Sequence, residues 1–484
     1  MGGPPTTAPD PARNAGKYVE TRHIDHIPAS ARHGKPWQQF AFWWGSNVNV
    51  FNLALGGVVI TYGMPLGWSL IAIAVGVLVG ALLIALHATQ GPRLGVPQMI
   101  QSRGQFGFYG AAFLFPCVIV LNVGFIAAQL VVQAQALFEL TPSLSMPQWI
   151  LVLTVPSVVI GIFGYQWIHY AVRGTAVLAG VSLVIMLIQG LAYPASLPAS
   201  ETTMTAPGTG VFLAAVALLV IDMLSFGPFV SDYSRYLPED TNGKRLFWAV
   251  YAGNVLATIF ACGIGAFLGA LLPALTLAGA VHRVNGAWAL VVLALSLVVP
   301  NTFNAYTGAF QVLSLGNMFR RFKEESVALR VIPFLAVMAA GVIIACVGYG
   351  HFVYSLENFL GFLLVIFIPW SAVNLADYFI VRHGDYDVSS FFEPGGRYGK
   401  FAWRGLVAYF AGLGAQWPFI SQPDYAGPLV SVLHGADISW IVGWLAAAAV
   451  YLILAQVGGN RPVPNDSVPA VPGGPGGTCG AAPG

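Results

Sequence analysis

Charge is what this sequence has least of. Only 8% of its 484 residues are Asp, Glu, Lys or Arg, against roughly 25% in an ordinary soluble domain. With 21 basic and 19 acidic side chains, the chain cannot clothe a water-facing surface of its size. The small net charge of +2 offers no basic face for nucleic acid. Cysteine is sparse too. Cys117, Cys262, Cys346 and Cys479 stand too far apart for a metal pair and read as small buried apolar residues with no redox role. No GxxxxGK[ST] loop and no HExxH motif occurs, so ATP-driven transport and membrane metalloproteolysis lack support. The first 36 residues have no apolar core of a cleavable signal. What is abundant is apolar residue, 57% of the chain, with a mean hydropathy of +0.72. Disorder, a secreted disulfide scaffold and a nucleic-acid binder are excluded, and an integral protein of the lipid bilayer remains.

Twelve apolar stretches are long enough to cross a bilayer: 38–62, 67–88, 108–138, 149–168, 172–194, 209–231, 246–274, 287–316, 329–349, 356–381, 401–420 and 438–457. They are spans 1 to 12 below. The third, seventh and eighth are long, which predicts tilt or interruption. Residues 1–36 and 458–484 read as flexible cytoplasmic tails on either side of a transporter domain over 37–457. With the N-terminus placed inside, 20 of the 21 Lys and Arg fall on inner loops or tails, and Arg283 alone falls outside. One missed helix would invert every later loop, so this bias supports twelve spans with both termini cytoplasmic.

Helix breakers cluster in two spans. Span 1 holds Gly45, Gly56 and Gly57 beside the polar run Ser46-Asn47-Val48-Asn49-Val50-Phe51-Asn52. Span 6 holds Gly227-Pro228, and Pro228 can neither donate a backbone hydrogen bond nor fit a regular turn. Non-helical backbone at membrane depth survives only where protein or a wet cavity satisfies it. Interrupted helices five spans apart, at matching places of two halves, point to a transporter's central site. Gly and Pro are also common in membrane helices, and Pro116, Pro156, Pro300 and Pro369 lie inside spans as well.

Ser231-Asp232-Tyr233-Ser234-Arg235-Tyr236-Leu237-Pro238, closing span 6, resembles the SDYSRYLP signature of the purine–cytosine permeases in the nucleobase:cation symporter family. Asn374-Leu375-Ala376-Asp377-Tyr378-Phe379 is similar to that family's second, ADYF-like segment. The stretch from Tyr398 to Trp403-Arg404-Gly405 resembles its aromatic region before span 11. The resemblance covers about 37 to 455. It implies an all-α membrane protein of the leucine-transporter type, with five plus five inverted helices and two extra spans. It also implies alternating access, and uptake of a nucleobase-like ring with a cation.

A flat neutral ring needs aromatic faces to stack on and amides to pair with its edge. Phe125 and Gln129 of span 3 lie four apart and share a helix face. The family usually carries Trp before an amide here. Asn304 of span 8 occupies the Asn of the family's N-x-Y segment, and Asn301 lies one turn away. An ordinary interhelical hydrogen bond, or repair of backbone around Pro300, would explain the same residues. Ser46, Asn47 and Asn49 either contact substrate or cap the span 1 break. No Trp stands between 211 and 236, where the family stacks one on its substrate, and Phe226 is the substitute. Asp222 lies ten residues before Asp232, some 15 Å deep at roughly 1.5 Å per residue. A carboxylate in a span is costly unless paired or protonated, which marks Asp222 for coupling or gating. Asp232 and Arg235 read as gate or helix-end groups. His87 and His169 read as interfacial, and Gly76-Val77-Leu78-Val79-Gly80 as a close helix contact.

The expectation is a secondary active symporter of the cell membrane, not an enzyme. It takes a small ring such as cytosine, a purine, a hydantoin or allantoin, uses no cofactor, and needs no obligate protein partner. An amino-acid carrier of the same fold is the alternative, and a channel, with no symmetric pore stripes to support it, the more distant one. Span 8 has Ser296, Thr302 and Thr307 but no adjacent hydroxyl pair for a hard cation that needs several oxygens. Protons are therefore expected to drive uptake in preference to sodium, with Asp222 as a proton acceptor near the break.

Overall fold

The computed structural model describes residues 26–163, 165–319 and 327–457. The tail assignments for 1–25 and 458–484, the basic loop residues Arg320, Arg321 and Lys323, and Cys479 lie outside those residues, and so do the side chains of His169 and Arg173. A helix stands at each of the twelve expected stretches. Among the described residues, seven helical stretches are long and apolar enough to cross a membrane, one of which, Val331–Val381, runs through both span 9 and span 10. Val50–Thr61, Met146–Ile162 and Val177–Ala192 are shorter apolar helices. The fold is all-α, of the leucine-transporter type.

Spans 1, 6 and 8 are interrupted, the first two for reasons written in their sequences. Span 1 divides into 1a, Pro36–Asn47, and 1b, Val50–Thr61. Asn49 is extended (φ −151°, ψ 171°), and its side chain accepts a bond from the Asn52 amide at 3.0 Å. This is an N-cap, and it restarts the helix. The break falls inside the polar run and not at the glycines. Gly56 instead lies flat against the Cys262 carbonyl of span 7, where a Cβ would overlap it. Span 6 divides into 6a, Thr209–Leu224, and 6b, Val230–Ser234, joined by the 3-10 turn Gly227–Phe229 that contains Pro228. Span 8 divides at Leu297 into 8a, Ala287–Ser296, and 8b, Val298–Phe319. Pro156 and Pro369 are absorbed inside continuous helices.

Small residues set how closely these helices approach. A Cβ at Gly76 or Gly80 of span 2 would lie 2.6 or 2.7 Å from the Val216 or Val220 carbonyl of span 6a. The GxxxG is thus a backbone contact between spans 2 and 6. Loops gather as the twelve-span layout requires. The Ile27 amide donates to the Gly95 carbonyl (2.9 Å), the His33 amide to Tyr236 (2.6 Å) and the Tyr109 amide to Lys400 (2.9 Å). The loops after spans 2, 6 and 10 therefore share one face with the described start of the chain, called the N-terminal face here. Residues 26–36 correct the expected 1–36 tail. Ile27 is only 1% exposed, and Arg32 donates to the Ile27 and Pro92 carbonyls, so this segment is packed against the bundle. The opposite face carries helix Leu277–Asn285 and the two-stranded hairpin Ser421–Gln422/Tyr425–Ala426.

Candidate functional site

The breaks of spans 1 and 6 meet spans 3 and 8 around an internal cavity. Phe42, Trp43, Ser46, Asn47 and Asn49 line it from span 1, Phe125 and Gln129 from span 3, Asp222, Ser225 and Phe226 from span 6, and Phe303 and Asn304 from span 8. Eight of the expected residues are thus brought together: Ser46, Asn47, Asn49, Phe125, Gln129, Asp222, Phe226 and Asn304. The cavity is small, with room for only a few waters. Rings close it on both sides. Toward the N-terminal face, Tyr233 of span 6b stacks on Phe42 at 4.6 Å and on Phe303 at 4.8 Å. Toward the opposite face, Phe125 meets Phe51 at 5.7 Å and Phe359 of span 10 at 5.5 Å.

The polar groups of the lining divide into two kinds. The span 1 asparagines are spent on the break. Asn47 donates to the Trp43 carbonyl (2.8 Å) and to Asn254 of span 7 (2.9 Å) and accepts from Asn52; Asn49 donates to the Ser46 carbonyl (2.7 Å). Ser46 bonds back to the Phe42 carbonyl. Here capping is the structural job. The other kind keeps capacity for a ligand. Asn304 Nδ2 donates to Gln129 Oε1 at 3.2 Å. That bond crosses from span 8 to span 3 and fixes both amides, whose other ends, the Gln129 NH2 and the Asn304 carbonyl, form a donor–acceptor pair. Asp222 is 2% exposed, and its Oδ2 has no hydrogen-bond partner.

Asn301 is corrected. It lies outside the lining and donates to Gln133 Oε1 at 2.6 Å, while Gln133 donates to the Ala294 carbonyl freed at the span 8 interruption. Both asparagines meet span 3, but Asn301 meets it at Gln133, one turn beyond Gln129, and there holds the amide that satisfies the freed Ala294 carbonyl. Asp232 and Arg235 also stand apart from the cavity. Asp232 Oδ1 accepts from the Gln98 amide at 2.8 Å, capping a short helix of the loop after span 2, and Arg235 lies over the Tyr236 ring. Ser231 and Ser234 of the same motif bond the His87 and Ala88 carbonyls. The motif ties the end of span 6 to the end of span 2. His87 is not interfacial but fully buried, stacked on Trp370 at 4.7 Å and bonded to Ser371.

Two features were missed in the sequence. Trp43 lines the cavity and meets Phe226 edge-on at 5.4 Å, so the indole lacking in span 6 is delivered from span 1. Its signal was there: Trp43 stands four residues before Asn47, on the turn entering the polar run. The second is a cluster around Asp377, whose carboxylate accepts from Gln105 (2.8 Å), Tyr386 (2.6 Å), Tyr451 (2.6 Å) and Arg382 (3.1 Å). In the adjoining loop the Ser389 and Ser390 hydroxyls hold the Asp387 carboxyl below the usual carboxylate range. Among the described residues no group of His, Cys, Asp and Glu is placed to hold a metal ion.

The profile of a family described as permeases for cytosine/purines, uracil, thiamine and allantoin matches residues 26–443. This chain belongs to that family. The permease is 34% identical over 447 residues to a Bacillus subtilis protein named "Putative purine-cytosine permease YxlA", covering 90% of this chain and 96% of that one. It is 24% identical over 465 residues to the purine-cytosine permease fcyB of Emericella nidulans, covering 90% and 88%. Among solved structures it is similar to the inward-facing conformation of Mhp1 (TM-score 0.72, 17% identity, 91% of this chain and 94% of that one). It is also similar to Mhp1, described as a nucleobase-cation-symport-1 family transporter, in a closed conformation with bromovinylhydantoin bound (TM-score 0.70, 19% identity, 91% and 95%). These likenesses carry the fold, and family membership makes the chain a multi-pass membrane transporter, not an enzyme.

Proposed function

We propose that this permease carries a nucleobase-like ring, of the cytosine, purine, hydantoin or allantoin class, across the cell membrane by alternating access, with a cation as symported partner. One observation carries the reading. The enclosed cavity at the helix breaks combines ring faces (Trp43, Phe125, Phe226) with the paired amides of Gln129 and Asn304. Stacking on such faces is worth about 1–3 kcal/mol per base, and a donor beside an acceptor matches the edge of a nucleobase. The amino-acid carrier, whose carboxylate would sit at a half-helix end, is disfavoured because the Val50 and Asn52 amides that open half-helix 1b are already taken by Ser296 and Asn49. The relatives named as purine-cytosine permeases and the hydantoin bound in Mhp1 support the same class. The ring enters from the face opposite the N-terminal one, which is external with both termini cytoplasmic, as the basic loops require.

The cation in this reading is the proton. Of the span 8 hydroxyls, Ser296 beside the break is engaged in both directions, donating to the Leu293 carbonyl and accepting from the Val50 amide, and the Thr302 hydroxyl is turned to the Ser157 and Val298 carbonyls. Asp222, unpartnered at Oδ2, is the proton acceptor. Uptake of labelled cytosine and adenine into proteoliposomes, with one gradient imposed at a time, tests both levels. Saturable concentrative uptake driven by an inward proton gradient is expected. Drive by sodium at fixed pH, unchanged in Asp222→Asn, would overturn proton coupling. No saturable uptake of any nucleobase or hydantoin would overturn the substrate class.

A further inference from the structure

Asp222 is a buried carboxyl without a cation. The cavity lining contains no Lys, Arg or His, and one carboxyl oxygen meets no hydrogen-bond donor. Such a group in a low-dielectric site is costly unless a ligand completes it. It stands on span 6, whereas the amides of Gln129 and Asn304 stand on spans 3 and 8. A ring in this cavity therefore presents one edge to the amides and another to Asp222. Trp43, another residue of the same lining, carries a second buried orphan: its Nε1–H, a donor with no acceptor.

We infer that Asp222 binds the substrate ring directly and selects rings in which a basic ring nitrogen stands beside an exocyclic amine. This rests on the nucleobase reading above and names the edge that the site reads. A carboxyl group carrying one proton has a donor on one oxygen and an acceptor on the other. It forms two parallel hydrogen bonds with such an edge: its O–H to the ring nitrogen, and the amine N–H to its other oxygen. Because that nitrogen is basic, the shared proton can move onto the ring and leave a carboxylate beside an aminated cation, a charge-assisted pair. No proton is gained or lost in the exchange. A lactam edge, with N–H beside C=O, can make two hydrogen bonds as well, but its carbonyl oxygen is too weak a base to take the proton. The site thus favours cytosine over uracil and adenine over hypoxanthine, and Trp43 supplies a donor to an acceptor on the adjoining part of the ring. The same contact makes ring and proton bind as a unit, since the ionised carboxyl alone would set an oxygen against the ring nitrogen's lone pair.

The test is equilibrium binding of labelled cytosine and labelled adenine to the purified full-length permease, with unlabelled uracil, hypoxanthine and a benzyl-substituted hydantoin as competitors. The wild type is expected to prefer each aminated ring over its lactam partner by about tenfold or more. Asp222→Asn, whose amide pairs with either edge, should bring each ratio within about threefold while lactam binding persists. If Asp222→Asn does not fold, the wild-type ratios and those of Asp222→Glu, which keeps the carboxyl and should keep the order of preference, decide the matter. A preference that survives in Asp222→Asn overturns the inference. Equal binding of aminated and lactam rings by the wild type also overturns it and leaves the nucleobase reading standing. Absence of binding by every ring in the panel overturns both.

Discussion

Two aspartates, both at most 2% exposed, divide this molecule into a part that holds and a part that waits. Asp377, where span 10 ends, has four side-chain donors drawn from the loop after span 2, the loop after span 10, and span 12. Asp222, in the interrupted span 6, has an oxygen with none. A buried charge that is fully satisfied fixes the elements that satisfy it. One left incomplete costs free energy in the empty state and returns it when a ligand arrives, which is how a binding site differs from a clamp. The amides repeat the contrast. Asn301 is engaged by Gln133 outside the lining, while Asn304, one turn on, lines the cavity and meets Gln129 through its Nδ2.

The comparison breaks if the two aspartates behave alike. The largest effect is expected from Asp377→Ala, which strands Arg382 and the Tyr386 and Tyr451 hydroxyls. Removing one partner of a buried pair costs about 3–5 kcal/mol, so folded yield and thermal midpoint should fall together. Asp222→Asn should leave the thermal midpoint near that of the wild type and remove proton-driven uptake. Next come Gln129→Ala and Asn304→Ala, each of which leaves a ring edge unpaired. A loss of about 1–3 kcal/mol lowers affinity roughly 5- to 150-fold with expression near normal, measured by competition binding. Smaller still is Asn301→Ala. It should cost about 1 kcal/mol of stability through Gln133 and shift ring affinity less than threefold. A larger affinity loss in Asn301→Ala than in Asn304→Ala would reverse the division drawn between them. Topology is sharpened without touching either site. With the native cysteines replaced, Arg283→Cys should react with an impermeant thiol reagent in intact cells and Arg397→Cys should not.

Much of this was legible before any coordinates, and the reason is physical. Bilayer thickness forces span length, and the basic loops report the alternation of faces, so the layout followed from apolar runs and Lys and Arg alone. The break in span 1 was legible because four polar residues in seven cannot face lipid. Its exact place was not, since Gly56 and Asn49 both look like breakers until Gly56 is seen against the Cys262 carbonyl. Phe125 and Gln129 could be put on one helix face by their spacing of four, and the resemblance to the family's span 3 marked that face. Trp43 carried the same kind of signal, four residues before Asn47, and was overlooked; the Asp377 cluster could not be placed, because its donors come from several elements at once. In the sequence Asn304 holds the N-x-Y place of the resembled family and Asn301 lies one turn away, but nothing there shows that Asn301 is taken by Gln133.

In the function proposed above, the ring sits in the cavity between the broken helices. A second hollow offers a direct alternative. It lies nearer the opposite face, holds about 440 Å³, and is lined by Tyr62, Ile221, Glu357, Gly361 and Gln422. The decisive measurement is the structure of the permease with its tightest ring competitor bound. The account predicts the ring against Trp43, Phe125 and Phe226, within about 3 Å of the Gln129 and Asn304 amides, and one ring cluster displaced to admit it. A ring bound in the outer hollow, with the Asn304–Gln129 bond and both ring clusters as they stand here, would contradict it.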